Sequence, residues 1–320
     1  MVYNKNMVKI HLPHLDDYLL DIKANNLSEE TFYNYERDLK TFELFLSNDI
    51  KKPFNKIDKK DILRFKAYLS STDRKTANNQ ASENKLGSYS INRILSAFRS
   101  YLKFLEDMDY NSPISPAAIK LLKTEKKSAR VPEFEDVLKI LEAPMKYEKD
   151  ERIALRNKAM LETLFATGMR ISELLSLKVN QIDQNGRIYI LGKGKKQRFV
   201  YLTPRAIVHI KKYMSKRVSD SEMFFVPYRG RNNQVRNKKI STNYLQAKIK
   251  RYRELLDINI PISAHTLRHC FATFLAEKGA NPAAIQILLG HESLDTTTRY
   301  VHASDRYAEK THHKFHPLLK

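Results

Sequence analysis

The chain has 320 residues, of which 42% are hydrophobic, and this is enough to build two cores of ordinary domain size. Its formal net charge of +21 favours a polyanionic partner such as nucleic acid, because cations that neutralise phosphates release counterions. A single cysteine excludes an internal disulfide and a cysteine-based metal site. The sequence shows no apolar run typical of a signal peptide or a membrane-spanning helix, so we expect a cytoplasmic protein without a membrane partner.

Apolar residues recur at helical spacing through the first third of the chain. They predict one helix over about 12–22, one that follows Ser28 as N-cap, one that Asp58 opens, and one over about 90–108. Four such helices in about 100 residues predict a small helical bundle domain, which we place at residues 1–110.

The character of the chain changes over residues 111–132, where prolines interrupt the helical pattern and basic residues accumulate. We interpret this segment as an exposed basic linker between two domains. Such a linker is either only solvated or crosses a DNA backbone, and the sequence leaves both interpretations open. The candidates for DNA contacts in the linker are Lys126, Lys127 and Arg130.

The second domain, residues 133–320, combines helical patterns with two short β-rich runs at 187–191 and 198–202. Glycines and lysines lie between these runs, which predicts a hairpin with a basic tip. Helices are predicted on both sides of the hairpin, at 133–141, 153–167, 171–177, 204–216, 242–256, 265–278, 282–289 and 294–302. The fold class is therefore mainly α, with a small β-sheet or hairpin in an α+β second domain.

Two basic residues of this domain are candidates for contact with an anion. Arg170 follows Gly168 at the junction of two predicted helices, a position at which an arginine can meet an anion. Glu173 is either an ordinary surface residue or a partner that orients an arginine. Lys193 lies in the hairpin tip, where it either enters a DNA groove or is merely solvated. Three further candidates for DNA contacts follow it: Lys195, Lys196 and Arg198.

Histidines and a tyrosine complete the set of candidates. His265 and Arg268 are three residues apart, so they share one face of a helix. They combine a group that moves protons near neutral pH with a planar cation suited to phosphate oxygens. His291 begins a new element after an apolar run, and Tyr300 follows nine residues later. By itself, such a tyrosine is ordinarily a packing residue.

Six side chains suited to phosphodiester chemistry thus follow one another along the chain: Arg170, Lys193, His265, Arg268, His291 and Tyr300. In their order and approximate spacing, the chain resembles the tyrosine recombinases of the phage integrase family, and the Xer-type members above all. The resemblance covers essentially the whole chain, although in the first domain it depends on the helical pattern alone. It implies a SAM-like core-binding domain followed by a tyrosine-recombinase catalytic domain.

The resemblance also implies a role for each residue. Tyr300 attacks a phosphodiester and holds the DNA end as a 3′-phosphotyrosine, which conserves the bond energy without ATP or a cofactor. Arg170 and Arg268 clamp the nonbridging oxygens, and Lys193 protonates the leaving 5′-oxygen. His265 assists proton movement at the tyrosine, and His291 hydrogen-bonds the phosphate. No metal is needed, and the histidines lack the compact spacing of metal ligands.

The expected function is site-specific DNA recombination through a Holliday junction, by a tetramer on two inverted-repeat sites of double-stranded DNA. The task is either the resolution of chromosome dimers or the integration and excision of a mobile element. Two alternatives share the same residues: a type IB topoisomerase-like relaxing enzyme, and a DNA-binding regulator without catalysis. Residues 303–320 are implied to dock on a neighbouring subunit, or else they pack on their own domain.

Overall fold

A computed structural model describes residues 10–25, 27–72, 74–78, 80, 85–124, 131–191, 197–229 and 239–290. The chain divides into two compact units, residues 1–127 and 128–320. Within the described residues, no helix is both long enough and apolar enough to cross a membrane.

The first unit contains the four predicted helices: α1 (Leu15–Ala24), α2 (Glu29–Phe45), α3 (Lys59–Ser70) and α4 (Ser88–Asp107). Two of their starts lie where the sequence placed them. The Ser28 side chain accepts a hydrogen bond from the backbone N–H of Thr31 at 3.1 Å. Asp58 forms a reciprocal capping box with Asp61 at the start of α3. Capping side chains satisfy backbone N–H groups that have no partner inside the helix, and so they fix where each helix begins.

Aromatic rings meet in the core of the first unit. The ring centroid of Phe42 on α2 lies 4.7 Å from that of Phe65 on α3 and 4.2 Å from that of Phe98 on α4. These contacts join three of the four helices, as the predicted apolar faces require.

The prediction of an exposed linker over residues 111–132 is wrong for the first part of this segment. Ile114 and Ile119 are buried in the core of the first unit, on either side of a 3-10 turn at Pro116–Ala118. The prolines therefore shape a return of the chain onto the bundle, because the two isoleucines gain more from burial than from exposure. Lys126, Lys127 and Arg130 lie outside the described residues.

The second unit has seven helices and one two-stranded sheet among its described residues. The helices are α5 (Phe134–Tyr147), α6 (Glu151–Thr167), α7 (Ile171–Leu175), α8 (Pro204–Lys216), α9 (Thr242–Leu255), α10 (Ala264–Glu277) and α11 (Pro282–Leu289). The strands β1 (Arg187–Leu191) and β2 (Gln197–Tyr201) pair antiparallel, with Ile188 opposite Val200. This confirms the mainly helical fold with a small sheet. The helix predicted at 294–302 lies outside the described residues.

Helix α5 is longer than predicted, since it continues through Pro144 instead of ending near Leu141. A proline inside a helix loses one backbone hydrogen bond. Here Ile140, Leu141 and Ala143 are fully buried around it, so packing holds the helical turn together.

Helix α6 is the centre of the second unit. Its residues from Ile153 to Leu164 are all buried, and it packs against α5, α8 and α10. A helix that is covered on every side makes a rigid support. Its C-terminal end at Thr167 therefore gives a fixed position to the residues that follow.

Candidate functional site

The turn that presents Arg170 begins at the end of α6. Gly168 has a φ of +61°, a left-handed conformation that glycine adopts without strain. A Cβ atom at this position would also collide with the ring of Phe271 on α10. Both constraints select glycine, and they place Arg170 at the residue before α7. The predicted helix junction is confirmed.

Arg170 is partly held and partly exposed. Its backbone N–H donates to Oε2 of Glu173 at 2.7 Å, and its Nη1 donates to Oε1 of Glu173 at 3.1 Å. Its Nη2 donates to the carbonyl oxygen of Gly290 at 3.3 Å. The side chain remains 40% exposed. It is thus an oriented cation with access to solvent, which is the arrangement needed to receive a phosphate.

Arg268 lies deeper, with 5% of its surface exposed. From α10 it donates Nη1 to the carbonyl oxygen of Gly168 at 2.7 Å and Nη2 to the carbonyl oxygen of Leu289 at 2.6 Å. It therefore connects the end of α6 with the end of α11. A buried guanidinium with such fixed partners is preorganised, so that its charge needs little rearrangement to act.

Glu173 is not an ordinary surface residue. Its side chain is 10% exposed, and its carboxylate accepts hydrogen bonds from Arg170 and from Arg198. Burial alone would raise the pKa of the Glu173 carboxyl, but hydrogen bonds from Arg198 and from the Arg170 backbone outweigh it and hold the pKa below the usual value. The residue is a carboxylate that orients two arginines.

Arg198 is buried, in contrast to the exposed position that its place beside the hairpin tip predicts. It was expected among the DNA contacts of the hairpin, but only 6% of its side chain is exposed. The available signal was the alternation of β2, since Arg198 shares the inward face with the buried Val200. The burial of Arg198 is hard to predict from the sequence, because Arg198 follows the basic hairpin tip closely and resembles a part of it.

Three consecutive carbonyl groups at the end of α11 each accept a hydrogen bond from a different arginine. The carbonyls are those of residues 288, 289 and 290, and their donors are, in that order, Arg198, Arg268 and Arg170. Cations at the C-terminus of a helix satisfy its unpaired carbonyls and interact favourably with its dipole. The end of α11 is thereby fixed to α7, β2 and α10, immediately before His291.

His265 is the second residue of α10, and the charges of both arginines of the predicted clamp act on its ring. Burial lowers the pKa of His265, and the positive charges of Arg268 and Arg170 lower it further. Burial also lowers the pKa of His269 to about 4, with additional effects from His265 and Arg268. Both rings are therefore neutral at pH 7, and a neutral imidazole can accept a proton.

The structure thus brings Arg170, Arg268, His265 and Glu173 together. The remaining predicted residues lie outside its described part: Lys193, Lys195, Lys196, His291 and Tyr300. Within the described residues there is no group of three or more His, Cys, Asp or Glu side chains that suits a metal ion.

Known proteins are similar to this chain along both of its units. Residues 131–306 match the model of the phage integrase family, and residues 15–108 match that of the phage integrase N-terminal SAM-like domain. The tyrosine recombinase XerD of Staphylococcus epidermidis is 30% identical over 312 residues, which are 95% of this chain and 98% of that protein. The tyrosine recombinase XerC of Leptospira interrogans is 32% identical over 299 residues, covering 91% and 89%.

Solved structures share the fold. XerH site-specific recombinase bound to its difH substrate, in a pre-cleavage complex, matches with a TM-score of 0.67 and 23% identity, over 92% of this chain and 82% of that one. A lambda integrase dimer bound to a COC′ core site matches with a TM-score of 0.67 and 18% identity, over 90% and 75%. The chain belongs to the phage integrase family and is a tyrosine recombinase.

Proposed function

We propose that the chain cleaves and rejoins DNA at a specific site, with Tyr300 as the nucleophile. The observation that carries the proposal is that Arg170 and Arg268 both donate to carbonyls at the end of α11 while their charges also act on His265. One of these carbonyls is that of Gly290, ten residues before Tyr300 in the sequence. Two fixed cations and a neutral proton acceptor are thus held together, and both cations are bonded to the backbone that precedes Tyr300 in the sequence. A phosphodiester transfer requires this combination of groups.

The reaction follows from the chemistry of these groups. The phenolic oxygen of Tyr300 attacks the phosphorus in line, and the neutral ring of His265 assists removal of its proton. Arg170 and Arg268 stabilise the charge that develops on the nonbridging oxygens. Lys193 protonates the departing 5′-oxygen, and His291 hydrogen-bonds the phosphate. The 3′-phosphotyrosine keeps the bond energy, so the reverse attack by a 5′-hydroxyl rejoins DNA without ATP.

A tetramer that binds two inverted-repeat sites is the assembly we propose, with a Holliday junction between the two rounds of cleavage. Support comes from the net charge of +21 and from the fold match to a lambda integrase tetramer bound to a Holliday junction. We place the activity in the cytoplasm. Between the two tasks, similarity to XerC and XerD proteins over nearly their whole length favours the resolution of chromosome dimers over mobile-element transfer.

The test begins with recovery of a binding site from a pool of randomised DNA duplexes. A suicide duplex that carries this site and a nick beside the scissile phosphate traps the covalent intermediate, because the short cleaved fragment diffuses away. The wild-type chain is expected to form a detergent-stable protein–DNA adduct. Tyr300→Phe should bind the same duplex and form no adduct, and an adduct with this variant would overturn the assignment of the nucleophile.

Two controls address the alternatives. A relaxing enzyme of the topoisomerase type would remove supercoils from a plasmid that lacks the selected site, whereas a recombinase is expected to require the site. A silent regulator would bind the suicide duplex as tightly as Tyr300→Phe does and leave it uncleaved.

A further inference from the structure

Arg198 is buried on the inward face of β2, and no step of the proposed reaction uses it. Buried charges are strongly destabilised unless they are paired and hydrogen-bonded. Its Nη1 donates to Oε1 of Glu173 at 3.0 Å and its Nη2 donates to Oε2 at 2.7 Å. Its Nε donates to the carbonyl oxygen of Leu288 at 3.0 Å. All three nitrogens of the guanidinium therefore have fixed acceptors.

The contacts of Arg198 continue to Arg170 through one carboxylate. Both oxygens of Glu173 that receive Arg198 also receive Arg170, one through the backbone N–H and one through Nη1. A planar fork on one side and a fixed backbone on the other leave this carboxylate little freedom. The orientation of the Arg170 guanidinium thus depends on where Arg198 holds Glu173.

A second branch leads from Arg198 to the end of α11. Besides its bond to Leu288, the guanidinium packs so closely on Gly290 that a Cβ there would lie 3.0 Å from Nη1. Arg170 donates to the carbonyl oxygen of this same Gly290 at 3.3 Å. The two branches meet there, so that β2, α7 and the end of α11 form a closed set of contacts around Arg198.

We propose that Arg198 is a positioning residue for DNA cleavage, which sets the Arg170 guanidinium and the end of α11 in a single arrangement. This inference rests on the proposed function. Arg198 touches no reacting atom; it acts through Glu173 and through the backbone that precedes His291. Lysine cannot replace it, because a single ammonium group cannot reproduce a bidentate contact and a third bond in another direction.

The experiment compares Arg198→Lys with the wild-type chain on the suicide duplex described above. Misplacement of a catalytic group by about 1 Å lowers a rate by roughly 100-fold, so adduct formation at saturating DNA should fall by about 10- to 100-fold. DNA affinity should change by less than about twofold, because the buried guanidinium does not neutralise a phosphate. The matched control is Arg187→Lys on β1, an exposed arginine paired with Asp183, which should retain the wild-type rate.

The salt dependence of binding separates positioning from direct DNA contact. A side chain that neutralises one phosphate contributes about one unit to the slope of log K against log salt concentration. Arg198→Lys and Arg198→Gln should both keep the wild-type slope if Arg198 is a positioning residue. A smaller slope for Arg198→Gln, together with a normal adduct rate at saturating DNA, would overturn the proposal in favour of a phosphate contact.

A double-mutant cycle tests the path through Glu173. Because Glu173→Gln breaks the same chain of contacts, it should slow adduct formation, and adding Arg198→Lys should slow it little further. Two independent, multiplying losses would contradict the proposal. Glu173→Gln also covers the case in which Arg198→Lys does not fold, which thermal unfolding detects. If the wild-type chain itself forms no adduct, the proposed function has failed, whereas an active wild type with an equally fast Arg198→Lys refutes only the role of Arg198.

Discussion

The Nε2 atoms of His265 and His269 lie 2.7 Å apart on successive turns of α10, with the two rings edge to face. A hydrogen bond between two imidazole nitrogens needs one donor and one acceptor, so only one of the two atoms carries a hydrogen. Protonation of both rings would place two donors against each other beside Arg268. The contact therefore disfavours protonation of both rings at once.

Because of this pair, the stability of the protein should decrease as the pH is lowered. The folded state holds the pKa of His269 at about 4, below the ordinary 6.5 of the unfolded chain. Between these values the unfolded state binds more protons, so stability rises with pH, is fully present above about 6.5 and is lost towards pH 4. The Tm of the wild-type chain should drop from pH 7 to pH 5, and that of His269→Gln should drop less. An equal drop in both would show that the pair is not responsible.

The rate of adduct formation should show a related limit. Because burial and two arginines lower the pKa of His265, the ring stays a proton acceptor below its ordinary range. The rate at saturating DNA is therefore expected to be level from pH 8 to about 6.5, the usual histidine value, and to decline only at lower pH. A rate that already halves near pH 7 would contradict a neutral, buried acceptor.

Two glycines with the same backbone handedness separate strain from steric contact. Gly168 and Gly279 both have positive φ angles, +61° and +89°, but only Gly168 lies against Phe271. Gly279→Ala should lower the free energy of unfolding by about 1–2 kcal/mol, because alanine is strained in this backbone conformation. Gly168→Ala should lower the free energy of unfolding by more, because the new methyl group also meets the ring of Phe271. It should slow adduct formation as well, because the turn that carries Arg170 must shift. Urea unfolding measures both, and equal losses would show that the ring of Phe271 yields without consequence.

Much of this arrangement was predictable from the chain itself. The helix starts at Ser28 and Asp58 could be predicted because N-capping depends only on a short polar side chain and the few residues that follow it. Arg170, His265 and Arg268 could be predicted as site residues because their types and order resemble those of a known family. The buried position of Arg198 and the packing of Ile114 were not, because each is decided by partners far away in the sequence, such as Glu173 and the aromatic core of the first unit.

The role proposed for Lys193 predicts a chemical rescue. A general acid helps only when the leaving group is a poor one, and an alkoxide leaves far less readily than a thiolate. Lys193→Ala should form the adduct at least 100-fold more slowly on the ordinary suicide duplex, consistent with typical contributions of general acids. On a duplex with sulfur in place of the bridging 5′-oxygen, the same variant should approach the wild-type rate. Arg170→Ala is the control, since its loss concerns the nonbridging oxygens and sulfur should not rescue it.

Arg268 joins stability and catalysis in one side chain, so its replacement should affect both. Arg268→Gln removes two buried hydrogen bonds, to the carbonyls of Gly168 and Leu289, and should lower the free energy of unfolding by about 2–4 kcal/mol. Adduct formation at saturating DNA should fall by at least about 100-fold, because a cation that faces the developing charge is lost. Arg187→Gln, whose ion pair is exposed, should change neither property measurably.

The two effects of Arg268 can be told apart by temperature. Adduct rates measured well below the Tm of each variant report on the folded protein alone, so a loss that persists there is catalytic. Arg268→Lys keeps the charge but reaches only one of the two carbonyls, and it should recover part of the rate while remaining less stable than the wild type. Normal cleavage by Arg268→Gln at low temperature would show that Arg268 does not bind the phosphate and only connects α6 with α11.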